Sequence, residues 1–282
     1  MKKGIKNIIK RCVSFLSQLA KVIKVLFLLP LRTDLRNHIP QKGDARLLTI
    51  LANGPSLKKD IEKINLLNGD FCVVNDFYKS SYYSIIRPKY HVLADPLYFT
   101  QGSDIEPFIK SVNWELKMFV PYSAWKKMDV LKEMPSKYIN VIPYHSVGTT
   151  GYKLFDFFLY RKGLSMPTPQ NVLVPSIFNG VNMGYKEIII YGADHSWTES
   201  IRVNNENQVC LADTHFYDQE KISLSPWRKA TEGREIYKMH EILQDLSNSF
   251  RSYHILKKYA DSQGCHIVNK TKGSYIDAFD RA

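Results

Sequence analysis

Apolar residues in most of the chain fall into short continuous runs that are separated by polar stretches of helical length. Such runs are typical of strands buried on both faces, because a half-exposed strand would alternate apolar and polar residues. They occur at 47–52, 71–74, 90–94, 117–120, 138–142, 187–191 and 265–268. We therefore predict an α/β fold with a mainly parallel sheet and helices on both faces.

The first 31 residues show a different pattern, in which apolar residues recur every three or four positions. This spacing places them on one face of a helix, with most of the lysines on the other face. The apolar positions are Ile5, Ile8, Ile9, Val13, Leu16, Leu19, Ala20, Ile23 and Phe27. The polar stretch from Pro30 to Gly43 reads as a linker. We predict an N-terminal unit at 1–38 and a single α/β domain at 39–282.

The charge distribution changes the interpretation of a basic chain. The formal net charge is +12, and residues 1–33 carry eight basic residues and no acid, which leaves 12 − 8 = +4 for the rest. A basic amphipathic helix is typical of a segment that lies in the interface of an anionic membrane. Lys21 and Lys24 interrupt the apolar run, so a spanning helix is not expected. The alternative is a helix that packs on the body or on a second copy in a homo-oligomer.

Cysteine spacing and motif content limit the remaining classes. The four cysteines lie far apart without a CxxC pair, which argues against a disulfide scaffold or a structural zinc site and favours the cytoplasm. No nucleic-acid motif is recognised, and +4 is a weak electrostatic footprint for the domain. We therefore expect no nucleic-acid partner. The expected location is the inner face of a bacterial inner membrane, with residues 1–31 on its anionic surface.

Short polar clusters follow three of the predicted strands. They are Asn53-Gly54-Pro55-Ser56, Asn75-Asp76 and Asp95-Pro96. Ligands of open α/β sheets lie outside the carboxyl ends of the strands, so these clusters are expected to face one crevice. Gly54 would let the backbone approach a phosphate, and Ser56 would cap a helix at 57–67 whose first N–H groups bind an anion. The alternative is that these are ordinary turn residues.

The ordered motifs resemble those of the bacterial lipooligosaccharide sialyltransferases that use CMP-sialic acid. The similar segments are ANGPSL at 52–57, VNDFY at 74–78, Asp95-Pro96, MGYKEI at 183–188 and YGAD at 191–194. The resemblance covers roughly 47–194 in order and spacing. It implies a Rossmann-like domain and an inverting glycosyltransferase that moves a keto-sugar acid from a CMP-linked donor to a glycan or glycolipid acceptor of lipopolysaccharide or capsule.

The resemblance also implies the binding residues. Carried over by position, nucleotide and donor contacts fall on Asn53, Gly54, Pro55, Ser56, Asn75, Asp76, Asp95, Asn171, Ser176 and Asp194. No metal or other cofactor is expected, and the sequence agrees because it contains no Asp-x-Asp pair. The family's arginine before its Thr-Ser-Gly segment has no counterpart at 169–173. The donor is therefore open among sialic acid, Kdo and pseudaminic acid.

Displacement at an anomeric carbon requires a base for the acceptor hydroxyl, and an imidazole is the usual group. His215 is the first candidate, because it lies in a polar stretch between Asp213 and Asp218 that approximates the family's histidine element. His195, at the end of a predicted strand, is the second. Tyr217 and Ser196 are candidates for donation to the departing phosphate. His91 and His145 are open between structural and functional roles, whereas His240 and His254 are expected on a long helix at 231–260, at its surface or in packing contacts.

Two further segments have expected roles. The aromatic and basic stretch at about 196–230 is predicted to form a lid, the alternative being an ordinary surface loop. The segment at 265–274 is a short strand and a loop that returns to the nucleotide pocket. The alternative functions are a pterin-pyrophosphokinase-like enzyme, which would require Mg²⁺, and a non-catalytic nucleotide-binding protein that docks on membranes.

Overall fold

The computed structural model describes residues 47–66, 68–99, 105–125, 136–211, 224–229 and 234–281. Eight residues nearer the N-terminus are also described, and they are helical: Cys12, Val13, Leu16, Ser17, Leu19, Ala20, Ile23 and Phe27. The predicted linker, the remainder of the N-terminal helix and much of the predicted lid lie outside the described residues. Among the described helices, none combines the length and the apolar character that crossing a membrane requires.

Among the described residues, eleven strands form two sheets. The strands are β1 Leu47–Leu51, β2 Asp70–Val74, β3 Tyr90–Val92, β4 Leu116–Pro121, β5 Ile139–Tyr144, β6 Glu187–Tyr191, β7 Ile201–Val203, β8 Val209–Leu211, β9 Ser225–Pro226, β10 His266–Asn269 and β11 Asp280–Arg281. The large sheet has the order β11-β10-β6-β1-β2-β3-β4-β5, and each of its pairings is parallel. All seven predicted strands are confirmed, with ends shifted by one or two residues.

Helices connect the parallel strands. They are α1 Leu57–Asp60, α2 Tyr82–Ile86, α3 Ile105–Ser111, α4 Tyr122–Trp125, α5 Lys153–Arg161, α6 Leu173–Asn182, α7 Trp197–Ser200 and α8 Met239–Ser262. The helix predicted at 57–67 is shorter than expected, because a 3₁₀ turn at Ile61–Lys63 ends it. Among the described residues of that stretch, Leu57 and Ile61 are buried and Ile64 packs partly buried on the same cluster, but the backbone at Ile64 is already extended, with φ −73° and ψ 124°.

Both faces of the sheet are covered, as predicted. Successive residues of β1 face opposite sides of the sheet. Ile50 belongs to the core cluster formed with α5, α6 and α8, whereas Leu51 belongs to the cluster formed with α1, α2 and α3. On the first face Phe178 of α6 stacks on Tyr259 of α8 at 5.9 Å between ring centroids. The described chain is therefore an α/β fold of the Rossmann-like kind.

The small sheet, β7-β8-β9, is antiparallel and lies within the segment predicted as a lid. It is attached to the long helix, because Val209 of β8 packs with Ile242 and Leu246 of α8. Trp197 and Trp227 join the same cluster. The described part of the segment is thus anchored on the body, and its residues 212–223 lie outside the described residues.

Candidate functional site

The sheet order changes direction between β1 and β6. From β1 the chain builds outward through β2, β3, β4 and β5, and then returns to add β6 on the other side of β1. In sheets of this kind such a switch point opens a crevice at the carboxyl ends of the two strands. Two backbone hydrogen bonds continue the pairing past the strand ends, Ala52 N to Tyr191 O at 2.9 Å and Gly54 N to Gly192 O at 2.8 Å.

The turn after β1 contacts a carboxylate of the protein itself, that of Asp194. Asp194 Oδ1 accepts from Ser56 N at 3.3 Å, and Asp194 Oδ2 accepts from Ser56 Oγ at 2.8 Å. Gly54 is required for this approach, because a β-carbon there would lie 2.0 Å from Asp194 Oδ2. The missing side chain of Gly54 therefore makes room for the protein's own carboxylate.

Ser56 was expected to cap α1, and this prediction is wrong. Its φ is −61° and its side chain makes no capping hydrogen bond, because the hydroxyl donates to Asp194 instead. Burial raises the pKa of the Asp194 carboxyl, while the two hydrogen bonds from Ser56 act in the opposite direction. Ser56 and Asp194 thus form a polar clamp between the ends of β1 and β6.

Asparagine side chains tie the next strand ends together. Asn53 Nδ2 donates to the carbonyl of Val74, the last residue of β2, at 3.1 Å. Asn75 Oδ1 accepts from Ala94 N, just beyond β3, at 3.1 Å. The motifs at 53–56 and 75–76 and the residues after β3 therefore lie side by side along one edge, as the sequence predicts.

The buried side chain of His91 forms a hydrogen bond with the backbone of Asn75. His91 Nε2 lies 2.8 Å from the Asn75 carbonyl oxygen, and His91 Nδ1 lies 3.1 Å from Tyr83 Oη. Burial lowers the pKa of His91 to about 4, so the imidazole is neutral at neutral pH. Because a carbonyl only accepts, Nε2 carries the proton and Nδ1 accepts from the tyrosine. His91 therefore has a structural role here.

The remaining predicted binding residues at the strand ends differ in burial and in hydrogen-bond partners. Asp76 accepts from Tyr98 Oη at 2.6 Å and pairs with Lys79 at 2.8 Å. Asp95 is partly buried, and its backbone carbonyl accepts from Tyr98 N at 3.2 Å. Pro55 is exposed at the turn. The structure places all three at the carboxyl edge.

Asn171 lies at the start of α6 and directs its carbonyl oxygen into the helix. Asn171 Oδ1 accepts from Leu173 N at 3.0 Å and from Val174 N at 3.4 Å, which caps the first turn. Ser176, also predicted to bind the nucleotide, is buried, and its hydroxyl donates to the Val172 carbonyl at 2.7 Å. That hydroxyl is thus already used within α6.

His195 is joined to Asn171 through a tyrosine that the sequence patterns did not single out. Tyr253 Oη lies 2.6 Å from His195 Nε2 and donates to Asn171 Oδ1 at 3.0 Å. The imidazole also packs on Trp197, with ring centroids 4.3 Å apart. Burial lowers the pKa of His195 to about 3, which makes it a weak base. No spacing pattern in the α8 sequence separates Tyr253 from an ordinary core tyrosine.

Of the first-choice base and the two predicted phosphate donors, only Ser196 lies among the described residues. Ser196 is partly buried and precedes α7, next to His195. His215 and Tyr217 lie outside the described residues, so their roles remain predictions.

The C-terminal loop reaches the same edge of the sheet. Thr271 Oγ1 accepts from Ala193 N at 3.0 Å, and Tyr275 N donates to Asp194 O at 2.9 Å. A cavity of about 550 Å³ lies in this loop, and its lining includes the cationic side chains of Lys270, Lys272 and Arg281. Arg281, whose contribution the sequence patterns did not indicate, holds the loop through hydrogen bonds to three of its carbonyls.

Two of the predicted nucleotide-binding asparagines carry an unpaired polar atom. Among the described residues, Asn53 Oδ1 and Asn171 Nδ2 are buried without a hydrogen-bond partner. A buried polar group without a partner costs about 1–3 kcal/mol, so such atoms often mark a binding site. Asn53 Oδ1 can accept from a hydroxyl or amino group, and Asn171 Nδ2 can donate to a carbonyl or ring nitrogen.

Comparisons with known proteins add no family assignment. No family model matches the chain, and no curated protein matches it. Within the described part of the chain, no group of three or more His, Cys, Asp or Glu side chains is arranged to hold a metal ion.

Proposed function

We propose that the protein is an inverting glycosyltransferase that transfers a keto-sugar acid, of the sialic acid, Kdo or pseudaminic acid type, from a CMP-linked donor to a surface-glycan acceptor. The donor site is the carboxyl edge between β1 and β6. The motif resemblance at 52–57, 74–78 and 183–194 supports this proposal, because the structure brings the ends of those segments to one edge.

The unpaired atoms of Asn53 and Asn171 carry the proposal. A cytidine nucleotide offers ribose hydroxyls that donate to Asn53 Oδ1, and a cytosine carbonyl and ring nitrogen that accept from Asn171 Nδ2. Bound nucleotide would thus satisfy two of the four side-chain atoms that are buried without partners in the described part of the chain; the other two are Oδ1 and Nδ2 of Asn179, inside α6.

The negative groups of the donor need positive charge nearby. A CMP-linked keto-sugar acid carries a phosphodiester and a carboxylate, both of which favour ammonium or guanidinium donors. Lys270 and Lys272 are exposed in the loop that contacts Ala193 and Asp194. They supply the charge that the turn after β1, already filled by Asp194, does not supply.

The reaction is a single displacement. The acceptor hydroxyl oxygen forms a bond to the anomeric carbon as the bond from that carbon to the phosphate oxygen breaks, and CMP leaves with the electron pair. The acceptor's proton passes to the base, for which His215 is the candidate. Hydroxyl donation from Tyr217 or Ser196 would stabilise the charge that develops on the departing phosphate.

The direct test is release of CMP by the purified full chain from CMP-sialic acid, CMP-Kdo and CMP-pseudaminic acid, with and without EDTA. We expect release from at least one donor, and undiminished release in EDTA. Failure to bind CMP or to release it from any of the three contradicts the proposal. Activity that requires Mg²⁺ and produces a pyrophosphorylated product would instead favour the pterin-pyrophosphokinase-like alternative.

A charge-matched pair of variants separates site binding from general attraction. In Lys270→Ala/Lys272→Ala two exposed positive charges are lost at the carboxyl edge, and we expect the affinity for the donor to fall about tenfold or more. In Lys137→Ala/Lys186→Ala the same charge is lost before β5 and β6, at the opposite edge, and we expect little change. An equal loss in both variants would mean that the cationic loop does not contact the donor.

The proposed setting is the cytoplasmic face of the inner membrane. Residues 1–31 would hold the enzyme at the anionic surface, where a lipid-linked acceptor is found. Retained CMP release in the full chain when vesicle binding is abolished by salt would show that docking and catalysis are separable functions.

A further inference from the structure

Helix α5 presents an uncovered apolar face to solvent. Leu154 is 87% exposed and Phe158 is 50% exposed, and Tyr152 and Phe155 are exposed beside them. The opposite face is firmly packed, because Phe157 and Tyr160 lie in the main core against Tyr259. The exposed side chains therefore belong to a fixed helix and form one patch, which we call the α5 patch (Tyr152, Leu154, Phe155 and Phe158).

The exposed charges of α5 have one sign. Lys153 and Arg161 are exposed on the helix, and Lys162 follows it. The acid of this helix, Asp156, is buried and accepts a hydrogen bond from Tyr152 N at 2.8 Å. An apolar surface with a cationic border is complementary to an anionic bilayer, whose acyl region takes the apolar side chains and whose headgroups take the cations.

The same charges disfavour a second copy as the occupant. A two-fold symmetric dimer would place the patch against itself and bring Lys153 and Arg161 of both copies together. Like charges that meet across an interface weaken it. The described apolar residues of the N-terminal helix do not cover the patch either, because they are themselves exposed, among them Phe27 at 80%.

We propose that the α5 patch is a second membrane-docking surface, which inserts into the interface of an anionic bilayer. The chain leaves β5 at Tyr144 on the carboxyl edge and enters α5 after eight intervening residues. Contact at α5 would therefore fix the sheet's carboxyl edge close to the bilayer surface, which the N-terminal segment alone, joined through a polar stretch, would not do. This proposal does not depend on the reaction that the protein catalyses.

An environment-sensitive probe tests the insertion directly in the full chain. Cys12 is the exposed cysteine among the four, and the other three are buried, so Cys12→Ser gives a background for labelling. An NBD group is attached at Leu154→Cys or, as the control, at Ile85→Cys, because Ile85 of α2 is an apolar residue that is 61% exposed and distant in the fold. The vesicles are phosphatidylcholine with and without phosphatidylglycerol.

We expect the probe at position 154, and not at position 85, to shift to shorter wavelength when phosphatidylglycerol vesicles are added. Leu154→Ser/Phe158→Ser should lower vesicle partition about tenfold or more, whereas Ile85→Ser/Leu66→Ser should not. Three results would overturn the proposal: no vesicle binding, binding with an unchanged probe at 154, or a probe already shifted without vesicles. The last result, with a doubled mass, would identify a second copy as the occupant.

Discussion

At the ends of β1 and β6, the carboxylate of Asp194 lies in the space that a side chain at Gly54 would fill. A β-carbon at residue 54 would lie 2.0 Å from Asp194 Oδ2 and 2.5 Å from the Gly192 carbonyl oxygen. Residue 54 must therefore be glycine because there is no room for a β-carbon. Its φ is outside the left-handed region, so the backbone conformation alone would not require glycine. The turn after β1 thus approaches the carboxylate of Asp194, three residues beyond the end of β6.

Gly54→Ala should thus destabilise the protein. The alanine methyl would displace Asp194 and part the ends of two central strands, so we expect the free energy of unfolding to fall by at least about 2 kcal/mol. Urea denaturation measures this, with Lys58→Ala, an exposed position in α1, as the control expected to stay within about 0.5 kcal/mol of the wild type. A Gly54→Ala protein of wild-type stability would show that the edge is less tightly packed than described.

Ser56→Ala should raise the pKa of Asp194. The Ser56 hydroxyl stabilises the charged carboxylate, and burial already raises the pKa above its ordinary value of 3.8. Carboxyl NMR titration measures the shift, and Ser56→Thr, which keeps the hydroxyl, should resemble the wild type.

The pH dependence that follows has a definite sign. Between 3.8 and its raised folded pKa, Asp194 binds more protons in the folded than in the unfolded protein, so its contribution to stability falls as the pH rises through that window. Ser56→Ala should extend the window upward. An unchanged or lower Asp194 pKa in Ser56→Ala would contradict the clamp.

Tyr253→Phe should impair the site, whereas Tyr259→Phe should not. Both tyrosines are fully buried in α8. The Tyr253 hydroxyl lies 2.6 Å from His195 Nε2, and the Tyr259 hydroxyl lies 2.6 Å from Asn182 Oδ1, so each variant loses one short hydrogen bond. Both variants should lose about 1–3 kcal/mol of stability. Tyr253→Phe removes one of the three hydrogen bonds that Asn171 Oδ1 accepts and Tyr259→Phe removes none of them, so only Tyr253→Phe should weaken CMP affinity, about threefold to tenfold by calorimetry. Equal CMP affinities in the two variants would exclude a positioning role for Tyr253.

His215→Ala should abolish transfer and leave CMP binding intact. Loss of a general base lowers turnover by about a hundredfold or more, whereas the nucleotide contacts lie elsewhere. His240→Ala, exposed at the start of α8, is the matched control and should be fully active. Single-turnover assays with a saturating donor make the comparison. An active His215→Ala protein would move the role to His195, despite the low pKa of about 3 that burial gives its imidazole.

The strands were predictable because burial on both faces leaves a signal that needs no tertiary information. Runs such as LLTILA and EIIIY stay apolar only where helices cover both sides of a sheet. The convergence of Asn53 and Asn75 followed in turn, because the carboxyl ends of parallel strands meet at one edge. The fold class and the convergence of these strand-end residues were therefore within reach of sequence reasoning.

The hydrogen-bond partners of individual side chains could not be predicted from the sequence. Ser56 has the sequence features of a helix cap, but a carboxylate 138 residues away takes its hydroxyl. Tyr253 lies in an amphipathic helix whose core positions look alike in sequence, and only packing brings its hydroxyl to His195. The weak antiparallel strands β7 to β9 also escaped, since each has only two or three residues.

A crystal structure of the full chain soaked with CMP and a non-transferable CMP-linked keto-sugar tests the central claim most directly. We expect the nucleotide at the carboxyl edge between β1 and β6, with hydrogen bonds to Asn53 Oδ1 and Asn171 Nδ2 and with Lys270 or Lys272 near the phosphate or the sugar carboxylate. Nucleotide bound away from this edge, or density that leaves both asparagine atoms unpaired, would contradict the account.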